Sequence, residues 1–508
     1  MKKILRFLTQ RVVLTALLIL IQALLLFGII WKLNNYFIYF YAFSVLLSLL
    51  LTLRIINNKS NPAFKIAWLI PILLFPVLGG LVYLVFGSDR TGKYIRNKMG
   101  RIEKEMQDGI SKANERSGIE KMPPDVVNQS HYISNSAHCP PYKNTTVEYL
   151  PMGEVKFERM VQELKKAKRY IFMEYFIIQE GTMWNTILDV LEEKAKEGVD
   201  VRVIYDDMGC ILTLPTGYEK TLREKGIQCQ IFNPSIPILS SHFNTRDHRK
   251  ICVIDGNVGF TGGINLADEY INGYEKHGHW KDTAILLKGE AVFSLTTMFL
   301  SMWDYLIKKE GEDYAAYYPD SWDENAQGIV QPFADNPLDD EAVGETVYLN
   351  LINKAKRYVY ITTPYLILSN EMVTAMNTAA KSGVDVRIIT PHVPDKWYVH
   401  AVSRSYYEML VEAGVKIYEY TPGFVHAKTF VVDDEYAVVG TINLDYRSLY
   451  LHFECAAWMY KASCVTDVRD DFLKTQQMSQ EITLEECRNI SIPRRLGRSV
   501  LRVLAPLM

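Results

Sequence analysis

The hydrophobic pattern divides the chain into two unlike parts. Three long apolar runs come first: Val12–Trp31, Phe37–Leu53 and Ile66–Phe86. Each is near the ~20 residues a membrane-spanning helix needs. A cleaved leader would give one shorter run and a small-residue cleavage site, so three runs predict a retained membrane region. Residues 90–130 are polar and charged, and read as a surface helix or connecting segment. From about 140 the pattern shortens. An amphipathic helix around Val155–Lys168 leads into the strand "YIFMEYFI", and the helix "NTILDVLEEKAKEG" leads into "VDVRVIYDD". Strands alternating with helices of this length predict an α/β fold, its sheet covered on both faces.

The second part repeats itself. "KAKRYIFMEYFI" at 166–177 matches "KAKRYVYITTPYL" at 354–366, and "GVDVRVI" at 198–204 matches "GVDVRII" at 383–389. "GIQCQIF" at 226–232 aligns with "GVKIYEY" at 414–420, and "GGINL" at 262–266 with "GTINL" at 440–444. Matches in one order at a spacing of about 180 residues indicate two domain-sized halves, not a solenoid. The expected organisation is a membrane region at 1–88, a polar connecting segment at 89–135 and a first half at 136–307. A turn-rich linker follows at 308–328, then a second half at 329–486 and a basic amphipathic tail at 487–508.

Charge narrows the function. The formal net charge is −2, so no bulk basic field suits non-specific nucleic-acid binding. Seven cysteines form no CxxC pair, which argues against a disulfide framework or a structural zinc site. Lys and Arg cluster in the leading tail, around Arg54–Lys65 and after the third run. The positive-inside rule then places the tail, the second loop and the catalytic halves on the cytoplasmic face. Two spans plus a third run that dips in and returns satisfy this, with Pro71, Pro76, Gly79 and Gly80 as candidate helix breakers. Three plain spans, with the remainder outside, are the alternative.

Within the repeat lies one chemical pattern, present twice: His248, Lys250, Asp255 in "HRKICVIDG", and His426, Lys428, Asp433 in "HAKTFVVDD". Residues two apart on a strand share a face, so each histidine projects with its lysine. A single such pair is most simply a surface histidine beside a solvated lysine. Two pairs at equivalent positions of a duplicated fold can face one cleft. That set suits displacement at a phosphodiester. Lysines neutralise the phosphate oxygens, one imidazole attacks phosphorus, and the other moves the proton. Carboxylates are expected behind the imidazoles, and Asp282 and Glu454 are the candidates. The following strands deliver Asn265 and Asn443. No metal-ligand spacing is apparent, so no metal or other cofactor is expected. His277 and His279 read as loop residues near the substrate.

These stretches, with "HFNTRDHRK" before the first motif and "NLDYRSLYLHFE" after the second, resemble the phospholipase D superfamily. The whole chain is more closely similar to bacterial cardiolipin synthases. The resemblance implies an α/β/α sandwich of two pseudo-symmetric halves with the site between them. It implies His248 as nucleophile, His426 as general acid and base, and Lys250 and Lys428 on phosphate, helped by Asn265 and Asn443. Asp255 and Asp433 complete the motifs and are generally structural in the family, while Asp282 and Glu454 orient the histidines. The implied reaction joins two phosphatidylglycerols into cardiolipin and releases glycerol at a bacterial cell membrane. A hydrolase, or a phosphatidylserine synthase, would share the intermediate and differ only in acceptor. A membrane-tethered nuclease and a non-enzymatic scaffold are the remaining alternatives. The basic tail, with Arg494, Arg495, Arg498 and Arg502 among leucines and valines, suits an anionic membrane surface. The patterning does not define an oligomeric state.

Overall fold

A computed structural model describes residues 11–32, 37–87, 96–102, 104, 106, 118–234, 244–309 and 313–507. The leading basic tail, Arg90 and Lys93 after the third run, His242 and Phe243 before the first motif, and residues 310–312 of the expected linker lie outside them.

Strand content follows the repeat. The first half contributes β1 (Thr145–Leu150), β2 (Tyr170–Tyr175), β3 (Asp200–Asp206), β4 (Gln228–Phe232), β5 (Arg246–Asp247), β6 (Lys250–Ile254), β7 (Val258–Gly262), β8 (His279–Lys281) and β9 (Ala284–Gly289). The second contributes β10 (Ile329–Asp335), β11 (Tyr358–Thr362), β12 (Asp385–Pro391), β13 (Lys416–Tyr420), β14 (Gly423–Val425), β15 (Thr429–Val432), β16 (Tyr436–Gly440), β17 (His452–Tyr460) and β18 (Ser479–Ile482). The first sheet runs β1-β9-β7-β6-β2-β3-β4, and the second β10-β17-β16-β15-β11-β12-β13-β18. Position by position the orders correspond, with β18 added at one edge. In each, three strands joined by helical crossovers are parallel and the motif strands are antiparallel. This mixed α/β architecture is the duplicated fold the repeat predicts.

The sheets are tied by their interior. The helix Val292–Ile307 is buried over Val292–Asp304 and touches both β6 and β10. A helix apolar all round needs cover on every side, and the two halves supply it. Two short strands cross the divide. β5 pairs in parallel with β17, and β14 pairs in parallel with β8.

Glycines permit the close approaches behind the motifs. A Cβ on Gly440 would stand 2.5 Å from Ala456 Cα, and one on Gly262, at φ +145, would stand 2.4 Å from Ala284 Cα. Neither strand could lie so near its neighbour with a side chain there.

The apolar runs form helices Arg11–Lys32, Phe37–Asn57, Pro62–Leu74 and Pro76–Val82. Within the second of these, Ile38–Asn57 is long and apolar enough to cross a membrane. The third run is broken at Phe75, where Pro76 opens the next helix. Pro71 lies inside the first piece, and Gly79 and Gly80 inside the second, so the glycines are not the breakers. They let the pieces pack: a Cβ on Gly79 would fall 2.2 Å from the Pro71 carbonyl oxygen, and Gly80 lies against Leu51 and Ser48. Ser48 Oγ donates to the Pro76 carbonyl at 2.9 Å.

This region is joined to the second half. Asn61 Nδ2 donates to Tyr450 Oη at 2.8 Å, and Phe64 packs edge-on against Tyr446 and Tyr450. The tail forms the helix Ile492–Leu504, with Ile492, Leu496, Val500 and Val503 exposed along one stripe. Its Arg502 lies over the Tyr406 ring at 4.5 Å.

Candidate active site between the halves

The cross-half strands set the site. On β17, Asp247 stands opposite Phe453, and the next residue, His248, donates its backbone N–H to the Phe453 carbonyl at 2.9 Å. That register puts His248 Nδ1 2.8 Å from Glu454 Oε1. On the other side Val425 stands opposite Lys281, and His426 N–H donates to the Lys281 carbonyl at 2.7 Å. His426 Nδ1 then lies 2.7 Å from Asp282 Oδ2. Each motif histidine is therefore held by a carboxylate from the opposite half. Sequence reasoning left the partners unassigned.

Both carboxylates are fully buried. Glu454 also accepts from Ser448 Oγ at 2.5 Å and from Thr441 Oγ1. Asp282 accepts from Thr283 N–H at 2.7 Å and fits because residue 263 is glycine, whose Cβ would strike it at 2.1 Å. Burial pushes Glu454 up to about 7 against the opposing pull of Lys250, and Asp282 up to about 6 against Lys428. Burial, then the motif lysines, holds both imidazoles well below the usual histidine range, so both are neutral near pH 7.

The lysines sit just behind. Lys250 Nζ donates to the His248 carbonyl at 2.5 Å, and Lys428 Nζ donates to the His426 carbonyl and lies 2.8 Å from His426 Nδ1. Burial lowers Lys250 to about 8 and Lys428 to about 7. An ammonium carries three protons, so each keeps donors for an anion in the cleft.

Asn265 and Asn443 both line the cleft, but they differ. Asn265 accepts from Ile177 N–H at 3.0 Å and donates to Tyr270 Oη at 2.7 Å, bracing the turn beneath the site. Asn443 Oδ1 is buried without a partner.

Asp255 and Asp433, grouped with the catalytic set as motif members, do not line the cleft. Asp255 accepts from the backbone N–H groups of Lys168, Arg169 and Tyr170, and Asp433 from those of Lys356, Arg357 and Tyr358. Both adopt positive φ at the far ends of β6 and β15, where a short acceptor side chain satisfies orphan N–H groups. They are turn braces.

The cleft holds about 740 Å³ and is lined by residues of both halves. His277 reaches it, whereas His279 is on β8, its Nδ1 2.8 Å from Tyr420 Oη. Around His426 the walls are aromatic, with Tyr270, Trp280 and Phe424 within 5.8 Å between ring centres. Around His248 stand one aromatic ring, Phe176 at 5.1 Å, and the imidazole of His452 at 5.8 Å. Arg249, outside the cleft lining, bonds Glu174 at 2.6 Å and Asp247 at 3.0 Å.

Sequence reasoning missed His452. Its ring lies 5.8 Å from that of His248, and neither of its nitrogens is hydrogen-bonded, Nδ1 lying 3.9 Å from Glu454 Oε1. The signal was available: two residues before Glu454 on a strand, it shares that carboxylate's face. His248, His452 and Glu454 bring three metal-ligating atoms within 4.8 Å. The surroundings oppose a cation there, since Lys250, Arg246 and Arg447 all bear on His452 and Glu454 is already bonded to His248.

The family model described as "Cardiolipin synthase, PLD-like domain" matches residues 160–303 and 348–476, and "Phospholipase_D-nuclease N-terminal" matches 46–88. A cardiolipin synthase of Alkalihalophilus pseudofirmus is 36% identical over 89% of this chain and 90% of its own. An uncharacterized protein of Streptococcus mutans is 47% identical over 90% of this chain and 99% of its own. The crystal structure of phosphatidylserine synthase from Haemophilus influenzae superposes with a TM-score of 0.58 at 15% identity, over 75% of this chain and 100% of that one, which speaks to the fold. The fold is that of the phospholipase D-like proteins. The chain belongs to the cardiolipin synthase, phospholipase D-like family.

Two predictions follow from the crossed pairs. Glu454→Gln lowers turnover on the order of 10²–10³-fold, and its effect is non-additive with that of His248→Ala but additive with that of Asp282→Asn. A double-mutant cycle that couples His248 to Asp282 instead refutes the pairing. The pH profile of turnover is a narrow bell. Below about 7 Glu454, and below about 6 Asp282, take up protons and cease to accept from the imidazoles. Above about 7 Lys428, and above about 8 Lys250, lose the charge that faces phosphate. A rate that stays flat from pH 5 to 9 contradicts this assignment.

Proposed function

We propose that the chain is a phosphatidyltransferase of the cardiolipin synthase type, acting on two molecules of phosphatidylglycerol. The observation that carries this reading is the pair of neutral, carboxylate-backed histidines lining one cleft beside two buried lysines. His248 Nε2 attacks phosphorus of the first lipid. A P–N bond forms, the P–O bond to the glycerol headgroup breaks, and His426 protonates the departing oxygen. A hydroxyl of the second lipid's headgroup then gives its proton to His426 and attacks the same phosphorus. The P–N bond breaks and cardiolipin is released. His426 is neutral in the empty cleft, so the bound phosphodiester's negative charge must raise its pKa for the first proton transfer. Lys250 and Lys428 neutralise the non-bridging oxygens as charge develops.

His248 meets one aromatic ring and a second imidazole, whereas His426 meets three aromatic rings with Asp395 and Lys396 in its field, so the two imidazoles have unlike environments. One residue type can fill two roles only under such a difference. Transfer to water would use the same intermediate, so the acceptor decides between synthase and hydrolase.

The membrane reading is of two crossings, 11–32 and 37–57, with the broken third run dipping in without crossing. Its pieces, Pro62–Leu74 and Pro76–Gly87, are each shorter than the ~20 residues a crossing needs. The catalytic halves then lie on the cytoplasmic face, as the positive-inside count requires. The exposed stripe of the Ile492–Leu504 helix rests on anionic lipid, with arginines beside it.

Given phosphatidylglycerol alone in detergent, the purified protein is expected to form cardiolipin and glycerol, with and without chelator. Denaturing quench at neutral to alkaline pH, where a P–N bond survives, traps the phosphatidyl group on His248 during turnover, and His248→Ala abolishes it. Phosphatidic acid as the main lipid product instead makes the protein a hydrolase, and a trapped label on His426 reverses the two roles. Reporter fusions address topology separately: one placed between residues 32 and 37 is active outside and one at the C-terminus inside. The opposite pattern at the C-terminus rejects the cytoplasmic reading.

A further inference from the structure

Of the cationic side chains that line the cleft, Lys276 is paired with Glu269 and Lys396 with Asp395. The other two, Arg246 and Arg447, stand beside His452. Arg246 comes from β5 of the first half. Its guanidinium is 3.7 Å from the Asp206 carboxylate and donates to the Asn233 carbonyl at 3.3 Å. Arg447 comes from the short helix Tyr446–Tyr450 of the second half. Its guanidinium has neither hydrogen bond nor ion pair among the described residues. The adjacent Asp445 instead caps that helix, one oxygen accepting from the backbone N–H groups of Arg447 and Ser448.

Burial makes both guanidinium groups hold their protons less firmly than an exposed arginine would, against the opposing pull of Asp206 on Arg246 and of Asp445 on Arg447, and Arg447 adds its repulsion at Arg246. His452, whose two buried ring nitrogens make no hydrogen bond, stands in the field of both arginines and of Lys250. A largely dry wall of this kind is costly unless an anion completes it. Arginine's planar fork suits a phosphodiester, and a neutral imidazole adds one donor. The reacting phosphate belongs between His248 and His426, over the lysines. The arginines and His452 flank it on the His248 side.

We propose that Arg246, Arg447 and His452 form a second phosphodiester subsite, which holds the acceptor lipid's own phosphate while its headgroup hydroxyl is presented to the reacting phosphorus. The inference rests on the phosphatidyl-transfer reading and adds what that reading lacks, a means of preferring a lipid alcohol over water or free glycerol. Each substrate then has a separate electrostatic address in one cleft.

The test compares two soluble acceptors with the full-length protein in detergent and phosphatidylglycerol as donor. One is labelled glycerol, which carries no phosphate. The other is labelled glycerophosphoglycerol, the deacylated headgroup, which carries one phosphodiester. The subsite predicts kcat/KM about 10–100-fold higher for glycerophosphoglycerol in the unmodified protein, the range expected for charged hydrogen bonds. In Arg447→Gln and in Arg246→Gln that preference shrinks toward unity, and Arg447→Lys retains part of it. Equal use of the two acceptors by the unmodified protein overturns the subsite without need of any variant. So does a preference that survives both glutamine substitutions. A protein that transfers to neither acceptor and forms no cardiolipin overturns the transferase reading, and the subsite with it.

Discussion

A buried imidazole must be oriented by something, and here each one finds its carboxylate only across the divide between the halves. The His248–Glu454 and His426–Asp282 hydrogen bonds, at 2.8 and 2.7 Å, are reached because two short strands, β5 and β14, leave their own sheets and pair with β17 and β8 of the other half. Neither half alone contains a motif histidine together with its carboxylate. Separating them would break both pairs. Chemistry and domain association thus rest on the same bonds.

Much of this was legible in the chain. The repeat marked two halves because a duplicated sheet needs the same apolar strands in the same order, as "YIFMEYFI" and "YVYITTPYL" illustrate. The histidines and lysines stood out because the pattern occurs twice. Asp282 and Glu454 were found because an acid among apolar residues wants a partner. Their crossed assignment was hidden, since it depends on strand exchange between sheets, which no local periodicity encodes. The motif aspartates were grouped with the motif set but expected to be structural, and the bonds they make are those of a tight turn at the strand end. His452 was overlooked because a lone histidine in an apolar strand reads as core. The Gly79-Gly80 pair looked like a helix break and serves helix packing instead.

The two halves are alike in topology and unlike in what surrounds the active imidazoles. His248 has Asp247 and Arg249 as chain neighbours, whereas His426 has Val425 and Ala427. Duplication supplied the symmetric frame, and substitutions at the flanking positions made the sites differ. A symmetric pair could hold a phosphate, but it offers no physical basis for one imidazole to attack while the other moves a proton.

The join between Phe64 and the pair Tyr446 and Tyr450 has a consequence for how far a lipid must travel. The same five-residue helix bears Arg447 on the cleft wall, so one short helix links the apolar N-terminal region to that wall. Drawing acyl chains out of a bilayer costs about 0.8 kcal/mol for each methylene exposed to water, which for two chains is prohibitive. A wall bolted at fixed height over the anchor removes that requirement. Headgroups can enter while their chains stay in hydrocarbon, and the search for a second substrate becomes lateral diffusion in a plane rather than capture from solution.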